Sequence, residues 1–290
     1  MYKTPTKAVI TDAGFASRFL PIAKTVPKAM IPMGSKPIMQ LVVEECVAAG
    51  IRDIIIVATE EGKSFYEDYF NNTVQKVESL LKSQGKSDRF DSVLHVLALA
   101  NVIVITQDAD LPYGNGSPIK SAQPYLNDDE AFVALYSDDL IMGSSDVKTL
   151  IDAYAKNPSA KAIITSQEMP ESEWKRYGMI ALKDADKRTL SHIVEKPATP
   201  AESPSALTSY GRYLLTPEIF QHLIPKNTGL DDELWTVDAI TKLAEAGDVF
   251  VVPSQGKWLT TGDPKNYFLA QLQYVLDHED YADEVRKAVK

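Results

Sequence analysis

From Lys7 to Gln40 the chain reads KAVITDAGFASRFLPIAKTVPKAMIPMGSKPIMQ. The apolar run Ala8 to Ile10 predicts a buried first strand. The strand breaks into a loop of small residues, Asp12-Ala13-Gly14-Phe15-Ala16-Ser17, which ends at Arg18. With so little side-chain bulk, backbone N–H groups at Ala13 and Gly14 can approach a polyphosphate closely. Prolines follow at Pro21, Pro27, Pro32 and Pro37, with Lys24, Lys28 and Lys36 between them. Arg18 and Lys28 then supply positive charge.

The 290 residues hold 44% hydrophobic and 24% charged side chains, as expected of a normally folded core. Net charge is −10, which disfavours nucleic acid as a partner. Against that balance, the local cluster Arg18, Lys24 and Lys28 points to an anionic small-molecule substrate. No apolar stretch reaches membrane-spanning length, and the first residues lack the apolar core of a signal peptide. Cys46 is the single cysteine, set in an apolar helical pattern, and predicts an inert core thiol. A cytoplasmic protein is expected.

Strand and helix patterns alternate outward from the opening stretch. Pro37 to Gly50 has helical spacing; Ile54 to Ala58 predicts a strand buried on both faces. Ser64 to Gln84 predicts an amphipathic helix interrupted near Asn71-Asn72. Val102 to Ile105 and Ala131 to Tyr136 predict further strands, and Ser117 opens a helix. In the second half, strands are expected at Ala162–Ser166, Gly178–Leu182, His192–Glu195, Gly211–Leu215 and Val249–Val252. Right-handed β-α-β crossovers then imply an α/β fold with a Rossmann-like, mainly parallel mixed sheet and helices on both faces. Residues 1–265 are expected to form one domain, with a nucleotide-binding half (1–145) and a sugar-binding half (146–265). Residues 266–290 would form a helical tail.

Asp138-Asp139 follows the strand that ends at Tyr136. Ligands of open α/β sheets bind at the carboxyl ends of strands, and a carboxylate there can hold Mg²⁺ against a triphosphate. Val194-Glu195-Lys196-Pro197 offers a carboxylate for sugar hydroxyls and a lysine for a phosphate.

Taken in register, Gly14, Arg18, Pro21, Lys24, Pro27, Lys28, Met30, Pro32, Lys36, Pro37 and Gln40 give the first stretch a form that resembles the signature of the sugar-1-phosphate nucleotidyltransferase family. The likeness continues through Leu135 to Asp139, Tyr177-Gly178, the VEKP motif at 194–197 and Gly211-Arg212-Tyr213. Members that use UTP and glucose 1-phosphate are nearest in pattern. Glu78, Leu81 and Gly85-Lys86 resemble an insertion that marks them.

The resemblance implies a nucleotidyltransferase (GT-A-like) fold and an enzyme that transfers a uridylyl group from UTP to glucose 1-phosphate, giving UDP-glucose and pyrophosphate. It implies Mg²⁺ as cofactor and a homo-oligomer, a dimer or tetramer. Its site residues map to Arg18, Lys28, Asp138 and Lys196 for catalysis. Ala13, Gly14, Gln107 and Gly116 map to the nucleotide, and Gly178, Glu195, Lys196 and Arg212 to the sugar. Asp138 and Asp263 are the expected metal ligands. No dedicated base is expected, because the attacking phosphate is already an anion.

Four departures stand out: Asp12 and Ala16 in the loop, Ala29 after Lys28, and Thr260, which replaces a second metal-binding aspartate. Either Asp12 or Asp263 is expected to compensate for Thr260, or one aspartate ligand suffices, or activity is reduced. Trp235-Thr236-Val237 also replaces the family's Gln-Leu-Thr. A non-catalytic sugar-nucleotide-binding regulatory homologue, or an enzyme using dTTP or another sugar 1-phosphate, are the alternatives. A glycosyltransferase using Asp138-Asp139 as its metal motif is a third.

Overall fold

The structure, a computed structural model, describes residues 1–289; Lys290, the last residue of the expected tail, lies outside them. The strands are β1 (Lys7–Asp12), β2 (Pro32–Met33), β3 (Lys36–Pro37), β4 (Asp53–Ala58), β5 (Asn101–Thr106), β6 (Phe132–Tyr136), β7 (Asp139–Met142), β8 (Ala162–Glu168), β9 (Gly178–Asp184), β10 (Thr189–Glu195), β11 (Leu207–Leu215), β12 (Val249–Pro253) and β13 (Lys257–Thr260). The helices are α1 (Ile38–Ala48), α2 (Glu60–Phe70), α3 (Gln75–Ser83), α4 (Asp91–Leu97), α5 (Gly116–Ser121), α6 (Asp146–Lys156), α7 (Thr236–Ala246), α8 (Pro264–His278) and α9 (Ala282–Ala288).

Nine strands form one mixed sheet in the order β5-β4-β1-β6-β11-β8-β12-β10-β9. The first half is parallel: β5, β4, β1 and β6 run together, as buried apolar strands joined by helices do. Strand β11 then pairs antiparallel with both β6 and β8. Side chains alternate across the sheet with period two. Ala8 and Ile10 of β1 pack on the face covered by α1, α6 and α8, whereas Val9 packs on the face covered by α5 and α7. Both faces are therefore closed, and a strand such as Ile54-Ile55-Ile56 has no polar side. Cys46 is fully buried in the first cluster.

The interruption expected at Asn71-Asn72 falls between α2 and α3. Thr59 caps α2 by accepting from the Gly62 N–H, and the Asn71 side chain turns to donate to the Val102 carbonyl at 3.1 Å. Helix α3 has no buried residue. Three helices, α4, α6 and α7, were not expected from the sequence. The signal for α6 was present: Ser145 caps it, and Val147, Leu150 and Tyr154 recur on its buried face.

An antiparallel ribbon of β7 and β13 stands apart from the main sheet and pairs Thr260 with Asp139. It was also missed, since each strand is only four residues long. The ribbon folds the 260–262 segment back over the end of β6, where the Thr261 N–H and hydroxyl both donate to the Asp138 carbonyl (2.7 and 3.0 Å). Among the described residues no helix is long and apolar enough to cross a membrane.

Candidate active site

The carboxyl ends of β1, β5 and β6 open into a cleft with two lobes. Ala13, Gly14, Arg18, Lys28, Gln107, Gly114 and Asp138 line the first; Gly178, Glu195, Lys196, Thr260 and Gly262 line the second. Six residues line both: Arg18, Asn115, Tyr136, Asp138, Lys196 and Trp235. Sequence reasoning anticipated three of these, Arg18, Asp138 and Lys196. Asn115, Tyr136 and Trp235 it did not assign to the site.

In the loop after β1, Ala16 takes the left-handed conformation (φ 46°, ψ 40°) that its glycine-like position demands. For an L-residue this costs about 1–2 kcal/mol. The Asp12 carboxylate accepts from the Ser137 hydroxyl at 2.6 Å and from the Tyr66 hydroxyl. Burial pushes its pKa up despite Lys28 nearby. With each oxygen held by a hydroxyl, Asp12 acts as a brace between β1, β6 and α2. Arg18 is exposed, its Nη1 3.4 Å from the Gly262 carbonyl. Lys24 faces a separate hollow behind the loop.

Lys28 Nζ meets Asp138 Oδ2 at 2.6 Å across the cleft floor. Burial disfavours the Asp138 charge, but the Lys28 ammonium outweighs it and holds the carboxyl below its usual range. Asp139 points the other way: it accepts from Trp258 Nε1 at 2.6 Å and from the Gly211 N–H at 3.2 Å. Burial, then the adjacent Asp138, pushes Asp139 up to about 7. Of the two acids, Asp138 is the one presented to a ligand.

In the second lobe, a Cβ on Gly178 would stand 2.9 Å from Glu195 Oε2, so glycine is needed for the carboxylate to sit there. Burial raises Glu195 to about 7, opposed by Lys196 and reinforced by Asp238 and Glu233. Lys196 is itself left-handed (φ 46°), its N–H bonded to the Tyr177 carbonyl at 3.1 Å. Strained non-glycine residues of this kind concentrate at functional sites.

Three expected site residues do not reach the cleft. Arg212 is fully buried and spends its five N–H donors on Glu45 and on the carbonyls of Tyr136, Gly211 and Asp139. It cannot touch a sugar without breaking that network. Asp263 caps α8 through the Asn266 N–H (3.0 Å) and pairs with Arg176 (2.5 Å). Both its oxygens are thus occupied by protein donors. Gly116 lies under Leu234, its N–H bonded to the Leu234 carbonyl at 2.8 Å, and Gly114 and Asn115 line the cleft in its place.

Among the described residues no group of three His, Cys, Asp or Glu side chains could hold a metal. Mg²⁺ in phosphate-transfer sites takes only one or two protein carboxylates and fills its remaining positions with phosphate oxygens and water. One ionised carboxylate on the cleft floor, Asp138, suits that mode. Thr260 Oγ1 and Asp138 Oδ2 lie 3.4 and 3.2 Å from the point where a Gly262 Cβ would stand, so both flank Gly262 on the cleft wall.

The family model described as nucleotidyl transferase matches residues 7–276. UTP–glucose-1-phosphate uridylyltransferase 2 of Staphylococcus saprophyticus is 36% identical over 287 residues, 98% of this chain and 96% of its own length. The Bacillus subtilis UTP–glucose-1-phosphate uridylyltransferase is 35% identical, over 98% of this chain and 95% of its own. Among solved structures, a UDP-glucose pyrophosphorylase complexed with UDP-glucose superposes with a TM-score of 0.80 at 29% identity, covering 96% of this chain and 100% of that one. A UTP-bound enzyme from Acinetobacter baumannii gives 0.83 at 29% identity, covering 100% of this chain and 99% of that one.

Proposed function

The chain belongs to the nucleotidyl transferase family, and from that premise we propose that it transfers a uridylyl group from UTP to glucose 1-phosphate, releasing pyrophosphate. The observation that carries the reading is the meeting of the two lobes at Arg18, Asp138 and Lys196. A nucleotide in the first lobe and a sugar phosphate in the second would bring their phosphates together there.

A phosphate oxygen of glucose 1-phosphate attacks the α-phosphorus of UTP; the bond to the β-phosphate breaks and pyrophosphate leaves with the electron pair. The nucleophile is already anionic, so the protein's task is to align two anions and offset their repulsion. Backbone N–H groups at Ala13 and Gly14 cradle the triphosphate, while Arg18 and Lys28 meet charge that grows on the leaving pyrophosphate. Gln107 pairs donor and acceptor with the uracil edge. Lys196 holds the sugar phosphate, and Glu195 over Gly178 accepts from sugar hydroxyls. Asp138 would hold Mg²⁺, which when bound supplies further neutralisation of the phosphates. Residues 1–265 are read as one catalytic unit, working in the cytoplasm as a homo-oligomer.

Pyrophosphate release, measured with UTP and dTTP against several sugar 1-phosphates, tests the reading. UTP with glucose 1-phosphate is expected to be the preferred pair. UDP-glucose binding without turnover of any pair would overturn it.

A further inference from the structure

Trp235 sits where the two lobes meet, yet the chemistry above gives it no part. Its indole is 6% exposed, and its Nε1–H donates to the Leu230 carbonyl at 3.0 Å, which fixes the ring plane. The Lys196 ammonium stands 4.2 Å from the ring centroid, well within the ~6 Å reach of a cation–π contact. Its nearest carboxylate, Glu195, lies at 4.0 Å, the outer edge of an ion pair. The Lys196 backbone is fixed as well, by its left-handed φ and its bond to Tyr177.

A ring face holds a cation in a different way from a carboxylate. It attracts the ammonium without neutralising it, and it does not compete with an arriving phosphate. We infer that Trp235 is a positioning residue for the sugar phosphate: its indole face keeps the Lys196 ammonium at the junction of the lobes before substrate arrives. The inference rests on the reading of Lys196 as the sugar-phosphate cation. It also gives a role to a position where this chain departs from the family pattern, which has glutamine there.

The test compares Trp235→Leu, Trp235→Phe and Lys196→Ala in two assays, steady-state kinetics and calorimetric titration of glucose 1-phosphate and UDP-glucose. Trp235→Leu keeps an apolar filler and loses the ring; Trp235→Phe keeps a ring and loses the Nε1–H bond. Trp235→Leu is expected to weaken glucose 1-phosphate about twofold to thirtyfold, the cation–π range converted at 1.4 kcal/mol per tenfold, with the KM for UTP unmoved. Trp235→Phe should recover most of that loss. Equal effects of Leu and Phe, or a parallel rise in the KM for UTP, would show a merely structural tryptophan and overturn the inference. So would a wild-type response of Trp235→Leu while Lys196→Ala loses sugar-phosphate affinity. If Lys196→Ala itself leaves that affinity intact, the reading of Lys196 fails and the inference falls with it. Should Trp235→Leu not fold, Trp235→Met takes its place under the same criteria.

Discussion

Arg212 and Glu45 form a buried ion pair beneath the turn that presents Asp138. Arg212 Nε and Nη2 donate to Glu45 Oε2 at 3.0 and 2.9 Å, and the other donors grip the carbonyls of Tyr136 and Asp139, either side of Ser137-Asp138. The second Glu45 oxygen accepts from the Asp146 and Val147 N–H groups at the start of α6. One pair thus ties α1, α6, β11 and the β6–β7 turn together. Removing one partner of such a pair strands a buried charge, so Arg212→Met is expected to lose about 3–5 kcal/mol in urea denaturation. Arg212→Met/Glu45→Gln removes the stranded charge and keeps an acceptor for α6, so it should recover part of the loss. Unchanged stability with weakened glucose 1-phosphate affinity would instead return Arg212 to the sugar site.

Asp138 and Asp139 should separate cleanly by assay. Asp138→Ala is expected to cost on the order of a hundredfold in kcat, the scale for deleting one preorganised charge stabiliser. Asp139→Ala leaves the Trp258 Nε1–H and the Gly211 N–H without acceptors, about 1–3 kcal/mol for each buried donor. It should therefore lower the Tm more and kcat less. A larger kcat loss for Asp139→Ala, with Tm unmoved, would shift the catalytic register by one residue.

Glu195 gives a pH signature. Its carboxyl titrates at about 7 because burial disfavours the charge. Above that pH it is ionised and accepts from two hydroxyls; below it, half of that capacity is lost. The KM for glucose 1-phosphate should rise as pH falls through about 7, relative to Glu195→Gln, whose profile reports only the substrates' own titration. Stability runs the opposite way. A carboxyl raised in the fold contributes stability that is present below its unfolded pKa and lost as pH climbs through about 7. The Tm difference between Glu195→Gln and wild type should then move in favour of the glutamine from pH 5 to pH 8. A KM difference that is flat with pH would rule out Glu195 as the titrating group.

Much of this was legible in the chain because local chemistry and position coincide there. The first loop, the end of β6 and the VEKP stretch each gather their charged and polar groups in adjacent residues, and Arg18, Asp138 and Lys196 do converge on one junction. The misplaced residues depend on distant partners. Arg212 reads as a cation in a site motif, and only the arrival of Glu45, 167 residues away, shows it to be spent. Asp263 reads as a ligand beside a missing aspartate until Arg176 and the first turn of α8 claim its oxygens. The β7–β13 ribbon escaped because its strands are short and its register is set by packing over Asp138 rather than by any turn signal. Trp235 was visible only as a departure from a pattern; its use needed the position of Lys196.

The absent second aspartate at 260 leads to the last prediction. Thr260 lines the cleft with Asp138 across Gly262, whereas Asp263 is turned into a helix cap and an ion pair. Asp12, the other acid near the loop, is braced by Ser137 and Tyr66. Neither is placed to substitute for the missing ligand, so a single carboxylate would serve the metal. Thr260→Asp would add a second one next to the first, and the Mg²⁺ concentration for half-maximal rate should fall. Without metal the same variant sets two like charges together, and its Tm should drop in chelator and recover with Mg²⁺. Asp263→Ala should lower the Tm through a lost N-cap, about 1 kcal/mol, and leave the Mg²⁺ requirement where it was. The reverse pattern, a raised requirement in Asp263→Ala and none of these responses in Thr260→Asp, would mean that α8 releases its cap to bind metal during turnover.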